Sequence, residues 1–383
     1  MTKFADALKA KLQGKKRKPV VFSGTDEWFH AEMLPCGIAG IDWILGGGLA
    51  YGRLSELFGN FSSGKTYLLY LFLAMNQRMG GVSALFESEF AYDADFYRAV
   101  GGDPESLLIR PARTIQEVFG GMAEIAKHVA TEGKDEKVAI GWDGIAATGT
   151  KHLQDVGMEK RDMSKAAGMS QGTQYITDLI GESQVAVIAT NQTREKIGDD
   201  TYDPMRRTHT PGGKAWPFHS SQRLELEFRG GFIKQLDDKG KESKEPIGHW
   251  VRARVDKNKL APPHLSCDLP FYSFNEERHP VFGTPTRMGI DYAEALLNFY
   301  KDSRFRIVVD DEKRPVIYTA GGWYRLDESL GYEKSFHAKD WPDLLQERPD
   351  LWQLVYKKES DSAEPPATSP TGDDPAGDQE DNE

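Results

Sequence analysis

Residues 59–66 read GNFSSGKT, a complete phosphate-binding loop, and the fold class is decided by its flanks. Gly59 and Gly64 let the backbone fold back, so that the N–H groups of Asn60, Phe61, Ser62 and Ser63 can turn inward at phosphate oxygens. Lys65 supplies a cation for the outer phosphates, Thr66 a hydroxyl for Mg²⁺, and Tyr67 completes the candidate nucleotide-binding set. Before the loop, Arg53-Leu54-Ser55-Glu56-Leu57-Phe58 suits a short strand. After it, Tyr67 to Met79 is a long apolar helical pattern stopped by Gly80-Gly81. Strand, glycine loop, helix is the order this chemistry needs, because the helix N-terminus adds partial positive charge to the anion site. The chain is expected to bind a nucleoside triphosphate with Mg²⁺.

Hydrolysis needs carboxylates or amides at the carboxyl ends of further strands, where ligands sit in doubly wound sheets. Three apolar runs qualify. Val82–Phe86 leads into Glu87-Ser88-Glu89, Val138–Trp142 into Asp143, and Val185–Thr190 into Asn191-Gln192. Helical patterns separate them at Asp95–Gly101, Ile115–Ala130 and Gly168–Gly181, so the alternation predicts an α/β fold with a mainly parallel, twisted sheet flanked by helices. Asp143, expected to end the strand beside the loop, would hold the water shell of Mg²⁺. Glu89 is the candidate for orienting and deprotonating the attacking water, with Glu87 two residues earlier on the same face as the alternative. Gln192 could hydrogen-bond the γ-phosphate and report its loss to the chain downstream.

That downstream chain is irregular. Thr193 to Phe218 shows no period and carries Arg194, Lys196, Arg206, Arg207, His209 and Lys214, with Gly212-Gly213 as a hinge. Gly149 to Ser164, after the Asp143 strand, is irregular as well and carries Lys151, His152, Lys160 and Arg161. Two basic loops leaving neighbouring strand ends would form a cationic funnel for a single strand of nucleic acid, contacting phosphates without reading sequence.

Composition adds an asymmetry. Of the formal charge of −11 over 383 residues, nine acidic side chains and no basic ones lie in Glu359–Glu383, which leaves −2 for the rest. That stretch has no aromatic and almost no aliphatic residues, so disorder is expected there. The opposite end is basic, with Lys3, Lys9, Lys11, Lys15, Lys16, Arg17 and Lys18 against Asp6. The pattern suits a nucleic-acid partner, the acidic tail competing for the same cationic surface. Cys36 and Cys267 form no metal-ligand spacing, no apolar run reaches membrane-spanning length, and no secretory leader is evident; a cytosolic protein is expected.

Together these residues resemble the RecA recombinases, and among them the phage UvsX-like members. FESEFAYDADFYRAVG at 86–101 is similar to the segment bearing the family's catalytic glutamate, which falls on Glu89. NQTREKIG at 191–198 and TPGGKAW at 210–216 resemble the two ends of the second DNA-binding loop, with Gln192 as the ATP-sensing amide. DKNKLAPP at 256–263 resembles the segment whose lysines, here Lys257 and Lys259, reach ATP held by the adjacent subunit. The resemblance further implies adenine contacts at Asp93 and Phe96, a base-wedging side chain at Ile197, and subunit signalling at Phe218. In the first loop, MEKRDMSK at 158–165, it implies Met163 as wedge and Lys165 as a DNA contact, with the loop sequence itself divergent. Arg194, Lys196, Arg206, Arg207, Gly212 and Gly213 complete the implied DNA-binding set. Pro217 is foreign to its position.

The expected organisation is a polymerisation helix and linker at 1–33, a RecA-like ATPase core with two DNA-binding loops at 34–280, a small α/β domain at 281–357 and an acidic tail at 358–383. Phe4, Ala7, Leu8 and Leu12 lie at helical spacing in the first segment. In the C-terminal part, GGWYRL and EKSFHAKDW resemble the phage members, and Trp323 and Tyr324 read as core. The implied function is ATP-dependent strand exchange by filaments on single-stranded DNA, with homologous duplex DNA, single-strand-binding proteins and mediators as partners. The alternatives are a hexameric RecA-fold motor resembling a replicative helicase and an ATP-binding coat protein for single strands without turnover.

Overall fold

The computed structural model describes residues 11–12, 31–133, 135–156, 164–181, 183–195, 208–236, 239–273, 289–302 and 304–356. Its centre is a nine-stranded sheet. In chain order the strands are β1 (Leu54–Gly59), β2 (Val82–Glu87), β3 (Leu107–Pro111), β4 (Val138–Asp143), β5 (Val185–Gln192), β6 (Gln222–Leu236), β7 (Glu242–Asn258), β8 (Ser266–Tyr272) and β9 (Gly289–Ile290). Their spatial order is β3-β2-β4-β5-β1-β6-β7-β8-β9. All pairings from β3 across to β6 are parallel, and those from β6 to β9 are antiparallel.

The parallel half is the predicted one. Its inner strands β1, β2, β4 and β5 are buried and largely apolar because helices cover both faces. On one face lie α1 (Ala39–Leu45) and α2 (Lys65–Arg78); every side chain of α2 from Tyr67 to Ala74 is buried, so this helix is apolar all round. The short α3 (Ala94–Ala99) follows β2. On the other face lie α4 (Ile115–Glu132) and α5 (Ser164–Ile180), packed through Val118, Phe119, Met122, Met169 and Ile176. Thr114 starts α4 with a reciprocal cap: its hydroxyl accepts from the Glu117 N–H at 3.2 Å and the Glu117 carboxylate accepts from the Thr114 N–H at 3.0 Å.

Three features depart from expectation. Edge strand β3 and the long hairpin β6–β7 are additional elements. The strand ending in Asp143 is not beside the phosphate-loop strand, because β5 lies between them. The stretch Gly149–Ser164 contains a helical segment, Lys151–Val156, and Thr193–Phe218 contains a two-residue pairing of Arg194–Glu195 with Thr208–His209. That stretch ends in α6 (Ala215–His219), which accommodates Pro217 and is anchored by buried Trp216 against Trp142 at 5.4 Å.

Beyond the sheet, α7 (Tyr292–Lys301), two small hairpins (307–314 and 317–326) and α8 (Trp341–Glu347) enclose a third core. Leu296, Phe299, Tyr300, Phe305 and Trp341 fill it, with Ala39 of α1 completing one wall. Residues 289–290 belong to the large sheet rather than to this unit. Trp323, expected in the core, is 48 % exposed and packs against the tilted His337 ring, whereas Tyr324 is only half-buried against the cluster. Among the described residues no helix is long and apolar enough to cross a membrane.

Candidate nucleotide site and its links to the loops

The phosphate loop leaves the carboxyl end of β1 and enters α2. Gly59 is required by space: a Cβ there would lie 2.0 Å from the Leu226 carbonyl oxygen. Gly64, at φ +87°, turns the chain into the helix through the left-handed region. The loop opens on a cleft of about 400 Å³ lined by Phe61 to Tyr67, Glu89, Phe96, Asp143, Thr190, Asn191 and Gln192. The cleft also takes His249 and Phe271 from the antiparallel half of the sheet, which no sequence motif marked. Phe61 sits at its rim, 80 % exposed, and Tyr67 at its floor, buried and edge-on to Phe271 at 5.3 Å.

Lys65 donates to the Asn60 carbonyl at 2.6 Å, and burial lowers its pKa while Asp143 and Glu89 oppose that shift. The hydroxyl of Thr66 donates to Asp143 Oδ2 at 2.9 Å, and that of Thr190 to Asp143 Oδ1 at 2.5 Å. Burial raises the Asp143 carboxyl pKa against these two hydrogen bonds. A hydroxyl and a carboxylate in contact beside the phosphate loop fit a Mg²⁺–triphosphate. The described residues hold no cluster of three acidic, His or Cys groups, so Mg²⁺ here would complete its shell with phosphate oxygens and water.

The two glutamates differ in placement. Glu87 is buried, and its carboxylate accepts from the backbone N–H of Glu89 at 2.8 Å and of Ala91 at 3.0 Å. It holds the turn. Glu89 lines the cleft, with its pKa raised by burial and then by the Asp143 charge. Asp93 stands outside the lining and caps α3 by accepting from the Phe96 N–H at 2.8 Å, thereby orienting the helix that brings Phe96 to the cleft.

Gln192 ends β5 at the cleft, and the next residue is tied to the phosphate loop. Thr193 donates its N–H to the Gly59 carbonyl at 3.2 Å and its hydroxyl to Asn60 Oδ1 at 2.5 Å. The second loop therefore begins on the loop that reads phosphate. It ends at Gly212-Gly213, where Gly212 (φ +94°) approaches Ile145. Arg194 is exposed. Lys165 is not: its ammonium is bound by the carbonyls of Ile145 (2.9 Å), Ala146 (3.4 Å) and Thr148 (2.5 Å), which stitches α5 to the chain after Asp143. Met163, Lys196, Ile197, Arg206 and Arg207 lie outside the described residues, as do Phe4, Ala7 and Leu8.

Lys257 and Lys259 lie back along the sheet from the phosphate loop. Lys257 pairs in register with Arg223, which lies opposite Glu56; the Lys259 N–H donates to Ser221, whose own N–H donates to Leu54. Along the strands this places them roughly 10 and 16 Å from Gly59, at ~3.3 Å per residue. Neither lines the cleft of its own chain. The Lys257 ammonium instead donates to the carbonyls of Pro217 (2.9 Å) and Phe218 (2.7 Å), beside the Phe218 ring, which is 73 % exposed.

A parallel sheet with a phosphate loop, a hydroxyl–carboxylate pair and a cleft-facing glutamate has the form of a phosphate-loop nucleotide-binding core. Comparison with known proteins narrows this. The sequence model of the RecA N-terminal domain family matches residues 5–274. "Protein RecA" of Thermus aquaticus is 31 % identical over 338 residues, covering 86 % of this chain and 85 % of that protein. "Protein RecA" of Fusobacterium nucleatum is 32 % identical over 361 residues, with 92 % and 84 % covered, and that of Aquifex aeolicus 31 % over 341 residues, with 88 % and 86 %. The chain belongs to the RecA family and is a recombinase of that family.

Proposed function

We propose that the protein is an ATP- and Mg²⁺-dependent DNA recombinase that assembles into helical filaments on single-stranded DNA and pairs it with homologous duplex DNA. The observation that carries the reading is the separation of Lys257 and Lys259 from their own phosphate loop. Cations set back along the sheet and absent from the cleft lining of their own chain would serve the nucleotide of a neighbouring copy, in a head-to-tail arrangement that propagates. Family membership supports the same reading.

In this scheme Lys65 neutralises the outer phosphates, and Thr66 with Asp143 would hold Mg²⁺, which when bound polarises the β- and γ-phosphate oxygens. Glu89 orients and deprotonates the attacking water. Its raised pKa and its place in the cleft favour it over Glu87, whose oxygens are occupied by backbone. Phe96 packs against adenine. Gln192 senses the γ-phosphate, and the bonds of Thr193 to Gly59 and Asn60 carry its position into the second loop, where Arg194 and the basic residues beyond it engage DNA phosphates. Lys165 serves this loop indirectly, by holding the chain after Asp143. Kinship with the phage members rests on GGWYRL and EKSFHAKDW alone; the relatives named above are bacterial.

A hexameric motor would also place a cation in trans. Electron microscopy of the protein with single-stranded DNA and a slowly hydrolysed ATP analogue separates the two: open helices with strand-exchange activity are expected, and closed rings with directional unwinding would overturn the assignment. Normal nucleotide-dependent filaments of Lys65→Ala would instead favour the coat protein.

A further inference from the structure

A row of polar side chains crosses four neighbouring strands, β5, β1, β6 and β7, and the chemistry above uses neither of its two central members, Glu56 and Arg223. Glu56 is fully buried, and its two oxygens are divided. One accepts from Asn191 Nδ2 at 2.9 Å and the other from Arg223 Nε at 2.6 Å. Asn191 also donates to the Pro211 carbonyl at 3.0 Å and accepts from the Gln192 N–H at 3.0 Å. On the other side, Arg223 lies over the Phe58 ring at 4.3 Å and pairs with Asp256, next to Lys257. Because Lys257 holds Pro217 and Phe218, the row grips both ends of segment 211–218, which joins the second loop to exposed Phe218.

The geometry points to Glu56 as a positioning residue that ties the phosphate-sensing end of β5 to the placement of Lys257 and of segment 211–218. The inference rests on the recombinase reading, through which the γ-phosphate and the neighbouring protomer enter. A carboxylate at this depth cannot exchange a lost partner for water, so a displaced Gln192 backbone moves Asn191, and Asn191 moves either Glu56 or Pro211. A residue of purely structural importance would hold the sheet together without linking these two ends.

Electrostatics separates the two roles. The groups facing Lys257 are Asp256 from its own strand, Lys259 just beyond that strand, Arg223 from β6 and Glu56 from β1, with the α6 carbonyls. Burial, then Lys259 and Arg223, lowers its pKa to about 8, while Asp256 and Glu56 oppose that shift. Lys257 therefore loses its charge as pH rises through that value. Removing the Glu56 charge brings the loss to lower pH.

The test compares full-length wild type, Glu56→Gln and Glu56→Asp, following assembly on oligo-dT with a slowly hydrolysed ATP analogue by light scattering from about pH 6.5 to about pH 9.5. Glu56→Gln is expected to lower the alkaline midpoint by about half a pH unit and to cut the stimulation of ATP turnover by single-stranded DNA at least about fivefold, with ATP affinity at neutral pH unchanged. Glu56→Asp keeps the charge but withdraws from Asn191, so its midpoint stays and its stimulation falls. A wild-type midpoint and undiminished stimulation in Glu56→Gln overturn the proposal. Should that variant not fold, undiminished stimulation in Glu56→Asp overturns it. A wild type that does not assemble at all brings down the recombinase reading, and this inference with it.

Discussion

Thr66 and Asp143 are hydrogen-bonded at 2.9 Å although β1, which leads into the Thr66 helix, and β4, which ends in Asp143, are not neighbours. The contact spans β5, and Thr190 of that intervening strand binds the other Asp143 oxygen. One carboxylate is thus fixed by two hydroxyls, one from the phosphate-loop helix and one from the strand that ends in Gln192. The proposed Mg²⁺ ligand is therefore coupled to both.

Asp143→Asn tests this. An amide can accept from one hydroxyl but cannot replace the anion, so the Mg²⁺ concentration needed for half-maximal ATP turnover should rise at least about tenfold, as expected for loss of roughly 1–2 kcal/mol of charge interaction. A Mg²⁺ titration of hydrolysis checks it; an unmoved midpoint would remove Asp143 from the metal site.

Glu89→Gln should slow hydrolysis about 10²- to 10⁴-fold while ATP binding persists, the span typical of a lost general base. Glu87→Gln should behave differently, because its oxygens hold two backbone N–H groups. Its melting temperature should fall while single-turnover hydrolysis in the folded fraction changes little. The pH profile follows from the cause of the Glu89 shift. Burial and the Asp143 charge raise its pKa, so the base is lost as pH falls through a value above that of an ordinary glutamate, and activity should decline on an acid limb displaced upward. Removing the Asp143 charge should move that limb back toward lower pH.

The parallel half of the sheet was legible because each strand is an apolar run ending in a polar residue, and each crossover begins or ends on glycine or a cap such as Thr114. Spatial order was not legible, since nothing in Val138–Asp143 or Val185–Gln192 states which lies against β1. The antiparallel half does carry a signal in its sequence: Val251, Ala253 and Val255 alternate with Arg252 and Arg254, the period of a strand with one buried face. His249 and Phe271 reach the cleft only through that half. Lys165 shows a different limit. A lysine in a basic stretch reads as solvent-facing, and only the fold reveals the three carbonyls that surround it.

The proposed service of Lys257 to a neighbouring protomer makes a mixing prediction. Lys65→Ala and Lys257→Ala should each abolish ATP turnover on DNA. Co-assembled in equal amounts, they should recover about a quarter of wild-type activity, since a head-to-tail interface is intact only where a sound phosphate loop meets a sound Lys257. A site complete within one chain would show no recovery.

Lys165→Ala and Arg194→Ala should separate scaffold from contact. Lys165 binds the carbonyls of Ile145, Ala146 and Thr148, so its removal leaves partly buried acceptors without a donor and should cost roughly 1–3 kcal/mol of stability. The salt dependence of DNA binding by the folded variant should stay unchanged. Arg194 is exposed on the first residues of the second loop. Its removal should leave stability alone and flatten the plot of log affinity against log salt by about one unit, the signature of one lost phosphate contact. Thermal melts and salt titrations with single-stranded DNA read both quantities on the same samples. A flattened slope for Lys165→Ala would return that lysine to the DNA surface.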